Sequence, residues 1–454
     1  MSHSVAINQT SFLSNIVKIA LPVAIHNALV ACLGMADVIM VAGLGEAATA
    51  AVGAASRWHF VMIMIMAGLA NASGTLIAQY WGKGSAGDAK AVSKLALKVG
   101  IWLFVPITLL VGLGAELMMN AQTTDAQVIA FGRDYLITSL PILLLTHVII
   151  NQEAALRSTG QSWLPLGVSS FVILLNISLN FVLINGLFGV PAMGVKGAAL
   201  ATVIARVVNV AIYWVYVRRV QHWLVTAKED SEPKLLHSKY RRLAVPQVIN
   251  LLGWGMGTLM LQIIFGRMGT TELAIFSLLA PFEGLCYSLF FGLATACAVL
   301  IGQSLGRSEF ERAEHISGQF LLSAFIGSLV VGLVVFFNLD VLLGWLHLDS
   351  PEMLPMARPV MLILAMGLWV RMLNMMLIHG ILRAGGENLF CLRTDFIGMW
   401  LVGIPVTAYG AFIGEWPFYL CYLALFSDEL TKLTLAARHY LRRGWCNNLT
   451  LHPA

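Results

Sequence analysis

The sequence predicts an all-α, polytopic membrane protein of twelve transmembrane helices in two pseudo-symmetric six-helix lobes. Three observations carry that prediction. Hydrophobic residues fill 58% of 454 positions and charged residues only 11%, with a mean hydropathy of +0.81, which excludes a soluble multidomain chain. Twelve apolar runs can be placed, each close to the roughly 20 residues that cross a bilayer as a helix. The chain also repeats itself at half its length.

The first run, 19–42, carries Pro22 near its start and Gly34 in its second half, with Gly43 and Gly45 just beyond its end. Proline is favourable in a first helical turn, and together these residues let the helix bend at modest cost. Pro22 is therefore the expected bending point. Near the far end stands Asp37, the one carboxylate in the run. An ionised carboxylate in hydrocarbon costs at least about 2.5 kcal/mol, so such a group is neutralised, partnered or turned to a water-filled cavity. Asp37 is the first functional candidate.

Five more runs follow at 53–80, 92–118, 134–156, 164–186 and 195–217. The only long hydrophilic tract comes next, at 218–242, and reads as a cytoplasmic connector. Beyond it lie runs at 244–265, 274–303, 316–338, 359–382, 395–413 and 417–436. The expected domains are thus an N-terminal lobe (1–217), the connector (218–242), a C-terminal lobe (243–436) and a cytoplasmic tail (437–454).

The repeat appears when the sequence is shifted by 224 positions. Pro22 meets Pro246, Gly45 meets Gly269, GLANA at 68–72 meets GLATA at 292–296, and LIAQ at 76–79 meets LIGQ at 300–303. Later the shift becomes 226, and Leu156, Arg157 and Gly160 meet Leu382, Arg383 and Gly386. A constant offset of this kind marks a duplicated unit. Asp37 is not duplicated, because its counterpart is Leu261.

Lys and Arg set the orientation. With the N-terminus inside, the cytoplasmic segments hold twenty of them and the opposite loops four, which predicts that both termini are cytoplasmic. Six spans per repeat is an even number, so the two copies insert in the same sense, as parallel repeats about an axis along the membrane normal. A cleft between such halves is the expected substrate path. The net charge of +5 follows this topology rather than a basic stripe, so no nucleic-acid partner is expected. Six cysteines without CxxC spacing indicate neither a disulfide framework nor a metal site. No removable signal peptide is visible at the N-terminus.

Asn176 and Asn180 in the fifth run are spaced i, i+4 and share one helix face. Amides hydrogen-bond a carboxyl group in either protonation state, and burial opposes ionisation of a carboxyl. Asp37, Asn176 and Asn180 are therefore the expected cation or proton site. Their counterparts in the second repeat are Leu261, Val402 and Val406, so this polar set belongs to the first repeat alone. A static hydrogen-bonded knot between helices is the alternative reading. Glu153, Glu283 and Arg371 could line a cavity or form interior ion pairs, and Arg206 is one of several further ionisable residues within the runs. HExxH and GxxxxGK[ST] are absent, so metal hydrolysis and ATP drive find no support.

Several of these motifs together resemble the multidrug and toxic compound extrusion (MATE) family. They are Pro22 through Asp37 to GLG, LIAQYWGKG and LIGQSLGRS, LRSTGQ and LRAGGE, NISLNFVLING and GVKGAALAT. The resemblance implies an inner-membrane antiporter, both termini cytoplasmic, that exports drug-like and often cationic compounds in exchange for protons or sodium ions. Within the family the chain looks like the branch of the DNA-damage-inducible member, whose cation site is in the N-terminal lobe; Asp37, Asn176 and Asn180 match it. Some members carry a second Asp where this chain has Asn180. The acids that the other bacterial branch uses in spans 7 and 10 are replaced here by Asn250 and Gln262, and by Arg371 and Asn374.

The expected protein is a monomeric, proton-coupled drug exporter working by alternating access in the lipid bilayer, without a cofactor. Sodium coupling is the first alternative. The second is a lipid-linked oligosaccharide flippase, which would call for a more basic cavity than Arg371 alone provides.

Overall fold

A computed structural model describes residues 12–229 and 233–451 of the chain. Among these residues the ordered elements are helices and no strand is present. Ten helices are each long and apolar enough to cross a membrane: Phe12–Ala42, Glu46–Lys83, Ala86–Asn120, Trp163–Asn185, Gly194–Arg219, Pro233–Met268, Thr270–Gly306, Phe310–Phe337, Leu354–Leu382 and Asn388–Phe412. The pair Ala126–Thr138 and Leu140–Ser158 forms an eleventh span, bent by 47°. Its bend falls at Ser139, just before Pro141, which cannot donate to the helical ladder. The twelfth span is divided into Phe418–Ala424 and Phe426–Leu441. In chain order these are spans 1 to 12.

Local chemistry explains where several of them start and stop. The Asp125 carboxylate accepts hydrogen bonds from the backbone N–H groups of Gln127 and Val128 and so caps span 4. Gly84 closes span 2 in the left-handed region, at φ +87°, where a side chain would be strained. Most helices outrun their apolar stretches; span 7 begins at Pro233 rather than near 244. Hydropathy marks the part of a helix that lipid requires to be apolar, whereas the backbone ladder continues into polar turns.

Three segments are π-helical: Ile16–Ala20, Met375–Leu382 and Ile397–Gly403. The first ends just before the buried Pro22, whose missing N–H leaves the ladder irregular at that point.

The chain forms two compact units. One is Ile25–Ala244, and the other joins the described residues up to Ala24 to those from Val245 onward. Both boundaries fall inside helices, spans 1 and 7, two residues after Pro22 and one residue before Pro246. This differs from the expected division at the connector. An apolar run shows that a segment crosses the membrane, not which neighbours it packs against. Ile19 and Ala20 belong to a buried cluster with Phe290, Ala294, Cys297 and Met376. Span 8 approaches span 1 so closely at Gly292 that a methyl group there would strike the Ala20 carbonyl oxygen and the backbone nitrogen of Ala24.

Residues of the expected connector are also docked. Lys90, at the start of span 3, donates to the carbonyls of Val225 (2.5 Å) and Ala227 (2.9 Å). Lys94 pairs with Glu229, and Trp81 packs against Trp223. His222 is 6% exposed; its Nδ1 accepts the Leu224 N–H at 3.4 Å, and its Nε2–H donates to Gln161 Oε1 at 3.1 Å. Burial pushes the His222 imidazole down to about 4. The C-terminal tail is fixed in the same way within the other unit. Trp445 is fully buried, and Asn448 bonds the Gly306 carbonyl and the Ser308 hydroxyl.

Candidate functional site

Asp37 stands in the second half of span 1, within Ile25–Ala244. Span 5 supplies its partner: Asn180 Nδ2 donates to Asp37 Oδ1 at 2.7 Å and to Asn176 Oδ1 at 3.2 Å. Asn176 Nδ2 donates in turn to Thr202 Oγ1 of span 6 at 3.2 Å, and that hydroxyl donates to the Ala198 carbonyl. The donors diverge from Asn180, to Asp37 on one side and, through Asn176 and Thr202, to the Ala198 carbonyl of span 6 on the other. Asn176 and Asn180 are 2% and 1% exposed, so these bonds form out of water, where an unmade bond is costly. The i, i+4 spacing does what the sequence suggested: it puts both amides on the helix face that meets Asp37 and span 6.

Tyr135 of span 4 packs against the buried cluster that contains Val41 of span 1 and Val52 of span 2. Asp37 is thus bonded directly to span 5 and, by way of Asn176, linked to span 6. One atom is left over: Asn180 Oδ1 is buried and has no hydrogen-bond partner. A carboxylic acid has an O–H to donate and a carboxylate has none. A protonated Asp37 would have an O–H to offer Asn180 Oδ1, which the carboxylate lacks.

Glu153, in span 4, does not join this chain of bonds. Ser169 Oγ and Tyr213 OH donate to it at 3.3 and 3.4 Å, and Arg157 and His26 lie 3.6 and 3.7 Å away. The Asp37 chain thus contains one carboxylate, and Glu153 anchors a second buried cluster in the same unit.

Arg371 and Glu283 occupy the other unit. Arg371 is ion-paired with Glu283 at 3.2 Å and Glu429 at 3.8 Å, donates to Tyr287 OH at 2.8 Å, and lies 4.7 Å above the Phe426 ring. Tyr422 OH also donates to Glu283. Nearby chemistry of the same kind links Asn250 to Asp395 (2.7 Å), Arg383 to Asn250 (2.7 Å) and Lys432 to Asp428 (2.9 Å). Arg371 and Lys432 are paired with carboxylates, whereas Arg383 bonds Asn250 and His379.

Thr202 was not singled out for the site by sequence. It ends the GVKGAALAT motif, so a search outward from that motif would have reached it.

Comparison with known proteins bears on the family and the fold. Residues 22–182 and 246–409 match the MatE family model, and the two stretches begin at Pro22 and Pro246, the pair related by the 224-residue shift. The chain is 26% identical over 443 residues to the probable multidrug resistance protein NorM of Thermotoga maritima, covering 95% of this chain and 92% of that one. It is 24% identical over 413 residues to the multidrug resistance protein MdtK of Yersinia pseudotuberculosis, covering 86% of each. Among solved structures, the Vibrio cholerae MATE transporter VcmN in its bent form superposes with a TM-score of 0.85 at 19% identity, covering 95% of this chain and 97% of that one. A MOP superfamily transporter of Pyrococcus furiosus superposes with a TM-score of 0.84 at 20% identity, covering 96% of each.

Proposed function

The chain belongs to the MatE family of membrane transporters, and from that premise we propose that it exports drug-like, often cationic compounds in exchange for protons, with Asp37 as the proton carrier. It is a multi-pass transporter and not an enzyme. Export of drugs is supported by full-length similarity to proteins named for multidrug resistance.

One observation carries the choice of ion. Asp37 is the single carboxylate in a chain of neutral amides and a hydroxyl, and the buried Asn180 Oδ1 beside it lacks a donor. A sodium ion needs several oxygen ligands and enough negative charge to offset its dehydration. A proton needs one acid, and the vacant acceptor on Asn180 suits the O–H that protonation creates. Drive is sufficient: about 2.3 kcal/mol per charge per 100 mV of potential, and about 1.36 kcal/mol per pH unit. Alternating access would convert each protonation of Asp37 into a change in the hydrogen bonds that tie span 1 to span 5, with Pro22 as the place where span 1 bends.

Proteoliposomes with imposed gradients test the reading. Efflux should follow an inward proton gradient with no sodium present. Efflux that tracks sodium at constant pH and ignores a pH gradient would overturn it.

A further inference from the structure

Span 10 presents Gly367, Arg371 and Asn374 at i, i+4 and i+7, on one face of the helix. That face meets span 12, within the unit that runs from Val245 onward. A methyl group at Gly367 would strike the Phe426 ring, the Arg371 guanidinium lies 4.7 Å above the same ring, and Asn374 reaches Glu429, one turn further along span 12. Asn374 Nδ2 donates to the Glu429 carboxylate at 2.8 Å and to the Glu429 backbone carbonyl at 2.7 Å. Asn374 is 4% exposed, and its Oδ1 is buried without a hydrogen-bond partner. Asn180 makes the same arrangement with Asp37: an amide that donates to a carboxylate while its own acceptor goes unmet. Immediately after Asn374, span 10 becomes π-helical, an irregularity that recurs at functional sites.

The charges around Glu429 do not balance. Arg371 is ion-paired with two carboxylates, Glu283 of span 8 at 3.2 Å and Glu429 at 3.8 Å, so with both ionised the three carry one negative charge in excess. Glu283 is the better held, because the Tyr422 hydroxyl also donates to it. Tyr287 OH accepts from Arg371 and adds no charge. Further along span 12, Asp428 and Asp395 of span 11 are served by Lys432, and Asp395 also by Asn250, which bonds Arg383; Arg383 in turn contacts His379. Two cations there stand against two carboxylates, which leaves none over for Glu429. We propose that Glu429 is a second proton-exchange site, with Asn374 holding its carboxyl group in both protonation states. The proposal rests on the proton reading above and extends it to the second repeat. An uncompensated buried charge is costly; a proton taken from water onto Glu429 cancels it, and the new O–H suits Asn374 Oδ1. Release returns the proton to water, and no other bond is made or broken. This carboxylate stands in span 12, apart from spans 7 and 10, where amides and Arg371 replace the acids of the other bacterial branch.

Infrared difference spectroscopy of the purified full-length protein over a pH series tests this. A protonated carboxyl group gives a C=O band, and two titrating bands are expected: one missing from Asp37→Asn, the other from Glu429→Gln. In Glu283→Gln the pH at which the Glu429 band is half-developed should fall by about one unit, at the low end of what a neighbouring charge does, because Arg371 then serves Glu429 alone. In Arg371→Gln it should rise by a similar amount. A static knot of hydrogen bonds would give neither shift. The proposal is overturned if the second band survives in Glu429→Gln, if it vanishes instead from Glu283→Gln, or if Glu283→Gln leaves it unmoved or moves it upward. Should Arg371→Gln not insert, Glu283→Gln decides alone. An Asp37 band that titrates without a second band sinks this proposal and spares the earlier one, whose own failure the gradient experiment reads.

Discussion

Asn180 donates to Asp37 across 2.7 Å while keeping its own carbonyl oxygen buried and unpartnered. On the proposed proton-coupled reading, protonating Asp37 would supply a donor for that oxygen.

Replacing Asp37→Asn should therefore reduce export at least about tenfold while the protein still inserts, since the new amide fits the bonding pattern but cannot exchange a proton. Among the amides, Asn180→Ala should cost more than Asn176→Ala. The first removes a bond to a charged acceptor, in the range of about 1.5–3 kcal/mol, and the second a neutral one of about 0.5–1.5 kcal/mol. Drug-resistance assays at matched expression measure both effects; wild-type resistance from Asp37→Asn would sink the mechanism.

Docking of the connector should depend on pH through His222. Its folded-state value of about 4 lies below the ordinary 6.5, so the neutral ring is the one the fold binds. The stabilisation is complete above about 6.5 and is lost as pH falls toward about 4, because an unfolded segment takes up the proton first. Protonation also places an N–H on Nδ1, which now accepts from Leu224. Hydrogen exchange across residues 220–229 should accelerate over that window. In His222→Gln the window should disappear.

Gly292→Ala should destabilise the protein by about 1–3 kcal/mol, the usual range for overpacking, because the obstruction is backbone of span 1 and cannot rotate away. Gly318→Ala is the control, since nothing lies within 4 Å of the added methyl. Thermal unfolding in detergent should separate the two, and equal melting temperatures would show that the span 1 contact is loose.

Topology has its own test. Single cysteines at positions 83 and 307 should react from the cytoplasmic side and those at 349 and 415 from the opposite side, as the distribution of Lys and Arg demands. Cytoplasmic labelling at 349 would break the arrangement.

Much of this was legible in the sequence for a physical reason. A bilayer punishes charge, so Asp37 stood out as soon as its run was recognised as a span, and the missing counterpart at Leu261 marked it as belonging to one repeat. Asn176 and Asn180 followed from helical spacing. Thr202 did not stand out, because the sequence cannot say which of several hydroxyls sits near a given amide. The docking of Trp445 and His222 was equally hidden: both lie in polar tracts whose composition suits a solvated tail or linker. Glu429, Asp395 and Lys432 lie near the ends of apolar runs, where snorkelling to water is the ordinary expectation, yet they are paired inside the fold.

The passage of span 1 from one unit to the other at Ala24 sets an order of events during synthesis. The segment that contains Ile19 and Ala20 leaves the ribosome first, yet the surface it packs against, around Gly292, is made roughly 270 residues later, a delay on the order of 15–50 s at about 5–20 residues per second. Ile25–Ala244 can close long before then. The turns around Ile19 and Ala20 are thus among the last to find their place, held in the membrane by their apolarity alone until the second half of the chain arrives.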